Sequence, residues 1–161
     1  MAFRTPQVAA LTGATLRELD YWHRIGLVEA SVDPGAGIGS NRVWSAADVT
    51  VVRVVVLLRR AGVSLNQIAA GVVDVLRCEW VDWGGWLIVT AHGASVLTDP
   101  YGIVDLVKTE AASVNVLHLF AVAAEMGEAM RKEAAPCCAA YLDAQGRLPV
   151  GYCSPDCLRR P

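Results

Sequence analysis

Three residues within a single stretch carry groups suited to reading a nucleic-acid duplex: Arg17, Tyr21 and Arg24. A guanidinium is a planar fork of donors that fits both phosphate oxygens and guanine edges. A second group of reactive side chains lies at the far end, where Cys137, Cys138, Cys153 and Cys157 supply four thiols. Thiolates hold tetrahedral zinc well, and a tail with little core gains fold from a metal. The three histidines, His23, His92 and His118, stand in no nucleophile, zinc-protease or nucleotide motif, which argues against an enzyme.

The arginines matter only if a helix presents them together. Thr15 followed by Glu18 is a capping box, and Gly26 is the expected stop after about Ile25. At helical spacing Leu16, Leu19 and His23 share one side, with Trp22 at its edge. Arg17, Tyr21 and Arg24 share the other, flanked by Asp20 and Glu18. Taken alone, this describes any amphipathic surface helix with solvated charges, so the neighbouring segments have to decide.

Upstream, Thr5-Pro6 is a helix start, with Thr5 as N-cap and Pro6 at the first helical position. Val8, Ala9 and Leu11 give that short helix its apolar side, and Thr12-Gly13-Ala14 is the turn into the next. Downstream, Leu27-Val28 leads to a glycine-rich loop, 33–40, and a return strand Asn41-Arg42-Val43-Trp44. Two extended arms around a glycine-rich tip make a β-wing. The loop is no phosphate cradle, because it lacks the lysine and hydroxyl residue that must follow the last glycine.

Ser45 and Asp48 form a second capping box and Ser64 and Gln67 a third. The run between them is β-branched enough for a strand. The cap before it, Gly62 after it and the unalternating Arg53, Arg59 and Arg60 select a helix over 49–61. Arg53 is expected to be a solvated charge and His23 a packed residue. The third box opens a helix to about Leu76, with an apolar stripe of Leu65, Ile68, Ala69, Val72, Val73 and Leu76.

The order helix, turn, helix, wing, helix, helix, carried by FRTPQVAALTG, TLRELDYWHRIGLV, NRVWSAADV and LLRRAGVSLNQI, resembles the DNA-binding domain of the MerR family of transcription regulators. The resemblance covers about residues 3–77. It implies that the second helix enters the major groove while the wing and paired aromatics hold the backbone. Carried over by position, it implies that Arg17 touches DNA, that Tyr21 and Trp22 face the sugar-phosphate edge, and that Arg42 is the wing arginine. The expected DNA-binding set is Thr15, Arg17, Glu18, Tyr21, Trp22, Arg24 and Arg42. Asp20 stands where the family usually has arginine, and His23 where an acid is common.

Charge agrees in its distribution. The chain of 161 residues has a net charge of −2, but residues 1–77 hold eight arginines against six acids, and no lysine. With 54% hydrophobic and 19% charged residues the chain is a folded one, not a disordered one. No apolar run approaches the roughly 20 residues of a membrane span, and the N-terminus lacks a signal pattern, so the expected location is the cytoplasm, with no membrane partner.

The second half departs from the family's plan of a long subunit-pairing helix. Residues 86–91 and 95–98 read as strands, 101–110 as a helix, 113–119 as a third strand and 120–134 as a helix. The expected fold is therefore mainly α with an α+β second half: a winged helix-turn-helix over 1–77, a β-β-α-β-α oligomerisation or effector unit over 78–135, and a Cys-rich tail over 136–161. Trp80, Trp83 and Trp86 either line an effector pocket or seal the join against a core, and packing is the commoner use. Leu117, Phe120, Ala121 and Ala124 offer a dimer seam. In the tail, GYCSPDC resembles the second half of a treble-clef-like zinc knuckle, which makes the four cysteines candidate zinc ligands. Adjacent Cys137 and Cys138 replace the usual spaced pair, so a redox pair, a thiol or soft-metal sensor and plain reduced thiols stay open.

These observations predict a sequence-specific, homo-oligomeric regulator bound to double-stranded DNA. The alternatives are a phage-type excision or architectural factor on the same winged fold, or a sensor working through the terminal cysteines.

Overall fold

The computed structural model describes residues 1–35, 42–77, 83–90, 93–98 and 114–133. It opens with a strand that the sequence pattern did not reveal. β1 (Ala2–Arg4) pairs antiparallel with β2 (Val43–Ser45), placing Phe3 opposite Trp44. Both rings are buried, and full burial of a large side chain is worth about 1.5–3 kcal/mol. The wing's return arm therefore leans mainly on the N-terminus. Among the described residues its expected partner arm contributes one bridge, Asp33 to Val43, with N···O distances of 3.0 and 2.9 Å. Leu27 and Val28 are buried without forming a strand.

Helix α1 (Thr5–Thr12) has Arg4, not Thr5, at its N-cap position, and the Arg4 side chain makes no cap bond. The Arg4 amide donates to Gln7 Oε1 at 2.9 Å. Thr5 is otherwise engaged, because its hydroxyl accepts from Trp44 Nε1 at 3.1 Å. Gly13 closes α1 at φ 75°, a left-handed conformation that suits glycine. Helix α2 (Leu16–Arg24) follows, with Ile25 and then Gly26 at φ 73° ending it as the spacing predicts.

Helix α3 (Ala46–Arg60) settles the strand-or-helix choice at the Ser45–Asp48 box. Val49, Val51, Val52, Val54, Val55, Val56 and Leu58 are all buried on it, so burial on nearly every side overrides β propensity. After Gly62, Ser64 caps α4 (Leu65–Gln67), which passes through a π turn (Ile68–Val72) into α5 (Val73–Arg77). The sequence pattern predicts one unbroken helix here. The interruption centres on Gly71, a poor helix former, at the point where strand β4 (Gly93–Leu97) comes close: a Cβ on Gly71 would lie 3.7 Å from the Ala94 nitrogen.

In the second half, β3 (Trp86–Thr90) is the centre of an antiparallel sheet between β4 and β5 (Asn115–His118). Leu87 and Val89 point into the core. Helix α6 (Leu119–Glu133) lays Leu119, Val122, Met126 and Met130, an i, i+3, i+7, i+11 stripe, against α1 and α3. One hydrophobic cluster thus runs from Phe3 to Met130. The helix expected over 101–110 and the tail over 136–161 lie outside the described residues. Among the described residues no helix is long and apolar enough to cross a membrane.

Candidate nucleic-acid interface

The site is built on α2. The Thr15 hydroxyl accepts from the Glu18 amide at 3.1 Å, while Glu18 Oε2 accepts from the Thr15 amide and hydroxyl, both at 2.8 Å. These bonds, with Arg59 and Arg60 nearby, hold the Glu18 carboxyl below its usual range. Thr15 and Glu18 are therefore occupied with each other. They set where the helix begins and leave no free hydroxyl donor on Thr15.

The helix is braced differently from the sequence expectation. Leu19 and Trp22 are its buried residues, whereas Leu16 is 54% exposed. The buried arc is centred between Leu19 and Trp22, which leaves Leu16 about 90° away from it. Trp22 is 3% exposed and packs in the core, whereas the resemblance implies a ring at the sugar-phosphate edge. His23 is packed as expected, with Nδ1 at 3.3 Å from the Val28 carbonyl oxygen and its ring edge-on to Trp44.

Opposite the buried arc, Arg17 and Arg24 lie at the centre of the exposed face and Tyr21 beside them. The Arg24 guanidinium sits 5.7 Å from the Tyr21 ring centroid, which aligns the pair along one ridge. Arg17 makes no ion pair among the described residues.

Arg42 is not in that exposed set. Its Nη2 meets Asp20 Oδ1 at 3.0 Å, and its side chain is 11% exposed. The expected wing arginine is turned inward, and Asp20, which stands where the family usually has arginine, neutralises it. The outgoing wing arm is also pinned: the Ser31 amide and hydroxyl donate to Asp48 Oδ2 at 2.9 and 2.8 Å, at the cap of α3.

Behind the site, two arginines of α3 hold the turn between α1 and α2. Arg53 Nη1 donates to the Thr12 carbonyl at 3.1 Å and Arg60 Nη2 to the Gly13 carbonyl at 3.2 Å. Arg53 Nη2 also pairs with Glu125 of α6 at 2.7 Å. Arg53 is thus a half-buried joint between the two halves, not the solvated charge expected. Trp83 packs on the core, and Trp86 stacks on His118 at 4.2 Å. Trp80 and all five cysteines lie outside the described residues, and the zinc expectation for Cys137, Cys138, Cys153 and Cys157 rests on sequence alone.

This order of elements, two helices joined at Gly13, a wing rooted at Asp33 and Val43, then the Ser45 and Ser64 helices, coincides with a known family. Residues 3–70 match the MerR HTH family regulatory protein. They form a MerR-family helix-turn-helix domain. The chain is also similar to HTH-type transcriptional regulators, described as uncharacterized, from Mycobacterium bovis and two strains of Mycobacterium tuberculosis. Each is 34% identical over 110 residues, covering 67% of this chain and 48% of the relative. This chain therefore spans about half the length of the curated relatives it matches. The similarity is longer than the MerR-family domain, so it continues past residue 70 into the second half.

Proposed function

We propose that this protein is a DNA-binding transcription regulator that reads duplex DNA through α2 of its MerR-family domain, acting as a dimer or cooperative array. The observation that carries the reading is the outward ridge of Arg17, Tyr21 and Arg24 on a helix whose opposite side is locked by Leu19 and Trp22. A rigid helix with arginine on its exposed face can place a fork against guanine O6 and N7. Arg59 and Arg60, exposed at the end of α3, add positive charge near the start of α2. The modest positive balance of the first half predicts weak single-copy binding, which is the reason a second copy belongs in the proposal. The regulator names of the mycobacterial relatives favour transcription over an excision role.

The test is selection of bound oligonucleotides at low salt, followed by titration of the winning duplex. Arg17→Ala is expected to lose discrimination at one base position, a change of about 1–3 kcal/mol. Absence of any preferred duplex, or unaltered binding by a folded Arg17→Ala, Arg24→Ala double variant, overturns the reading.

A further inference from the structure

Asp20 and Arg42 are far apart in sequence and belong to different elements. Asp20 lies on α2, on the flank of the ridge formed by Arg17 and Arg24. Arg42 directly precedes Val43, the residue whose backbone exchanges two hydrogen bonds with Asp33 at the wing root. Their ion pair at 3.0 Å therefore spans from the helix to the wing. Its asymmetry is informative. The Asp20 side chain is 45% exposed and the Arg42 side chain 11%. Arg42 Nε is buried and has no hydrogen-bond partner among the described residues. A guanidinium held for phosphate would keep its donors toward solvent, whereas this one is folded down onto the helix.

We propose that Asp20 and Arg42 form a strut that fixes the angle between α2 and the wing root, so that both are positioning residues for DNA binding and Arg42 is not a phosphate ligand. The inference rests on the DNA-binding reading above. It predicts a sign opposite to that of simple charge. Removing an acid from the flank of a DNA-facing ridge should strengthen binding if only its repulsion of phosphate mattered. Removing one end of a strut should weaken binding, because the helix and wing no longer meet the duplex in one arrangement.

The test is a double-mutant cycle on the selected duplex with Asp20→Ala, Arg42→Ala and the double variant, each titrated across a range of salt concentrations. Both single variants are expected to bind about fivefold or more weakly, and the double variant no worse than the weaker single. The slope of log K against log salt should stay at the wild-type value in Arg42→Ala, whereas loss of a phosphate contact lowers it by about 0.9. Tighter or unchanged binding by Asp20→Ala, or a slope reduced by about one in Arg42→Ala, overturns the strut.

Amide hydrogen exchange on the free proteins supplies a readout that needs no DNA. The Asp33 and Val43 amides should exchange faster in both single variants, while protection of the α3 core is unchanged. Unchanged exchange at those two amides overturns the strut as well. A wild-type protein with no preferred duplex but with the expected exchange changes would instead refute the DNA-binding reading and leave the strut standing.

Discussion

Replacing Arg53 by alanine should destabilise the protein by about 2 kcal/mol, and most of that loss should come from one end of the side chain. Arg53 donates to the Thr12 carbonyl in the last turn of α1 and to Glu125 of α6. A hydrogen bond from a charged donor contributes about 1.5–3 kcal/mol, and a cation at a helix C-terminus adds about 0.3–1. The buried aliphatic stem contributes roughly 0.8 kcal/mol per methylene. Against this, the variant removes a buried Nε that lacks a partner among the described residues, which offsets about 1 kcal/mol or more. The bond to Glu125 adds little, because that carboxylate's side chain is 56% exposed and water replaces the lost partner. Glu125→Ala should therefore cost under about 1 kcal/mol. In urea unfolding followed by tryptophan fluorescence, Arg53→Ala should lower the midpoint at constant m, with a Tm drop of about 4–8 °C. If Glu125→Ala proves as damaging as Arg53→Ala, or if Arg53→Ala is neutral, the clamp on Thr12 is not the main contribution of Arg53 to stability.

Gly13 and Gly26 share the left-handed conformation, so alanine at either should cost about 1 kcal/mol in thermal melts. Gly13→Ala should be the worse of the two, because its Cβ would fall 2.7 Å from Arg60 Nη2 and push that side chain off the Gly13 carbonyl, while among the described residues nothing lies within 4 Å of a Cβ at Gly26. Thr15→Ala should cost about 1 kcal/mol of stability through loss of the cap on α2. The Glu18 carboxyl is depressed below its ordinary 4.5 in the folded chain, so its stabilisation is present above that value and disappears as pH falls through the folded-state pKa. Melts on acidification from about pH 6 should fall less steeply for Glu18→Gln than for the wild type. Trp44→Phe should cost about 1–3 kcal/mol by urea unfolding, since it leaves a void at a fully buried site and strands the Thr5 hydroxyl that the indole now serves.

Much of the fold was legible wherever the signal was local. Three capping boxes, at Thr15, Ser45 and Ser64, placed the starts of three helices, because a cap is a contact between residues three apart. Gly26 and Gly62 placed two ends in the same way. The misses share the opposite character. β1 is only three residues long, and its sole sign is a partner some forty positions away. Thr5 looked like a cap because nothing near it in sequence shows that Trp44 uses its hydroxyl. Nothing in the sequence pairs Asp20 with Arg42, or ties the expected solvated charge of Arg53 to Thr12 and Glu125. Each is decided by a pairing across elements that spacing along the chain does not encode. The face of α2 was half legible: periodicity separated the arginine ridge from Leu19, but it assigned Leu16 inward and Trp22 to the edge. Only the actual depth of the core distinguishes them.

The way α6 covers α1 and α3 has a practical consequence for anyone wishing to transplant the MerR-family domain. Cutting the chain after Arg77 would remove Leu119, Val122, Met126 and Met130 and leave the valine-rich side of α3 wet. Such a fragment would retain Arg17, Tyr21 and Arg24 yet behave as a sticky, poorly soluble piece. A portable version would need the final helix grafted back or the bared valines exchanged for polar residues.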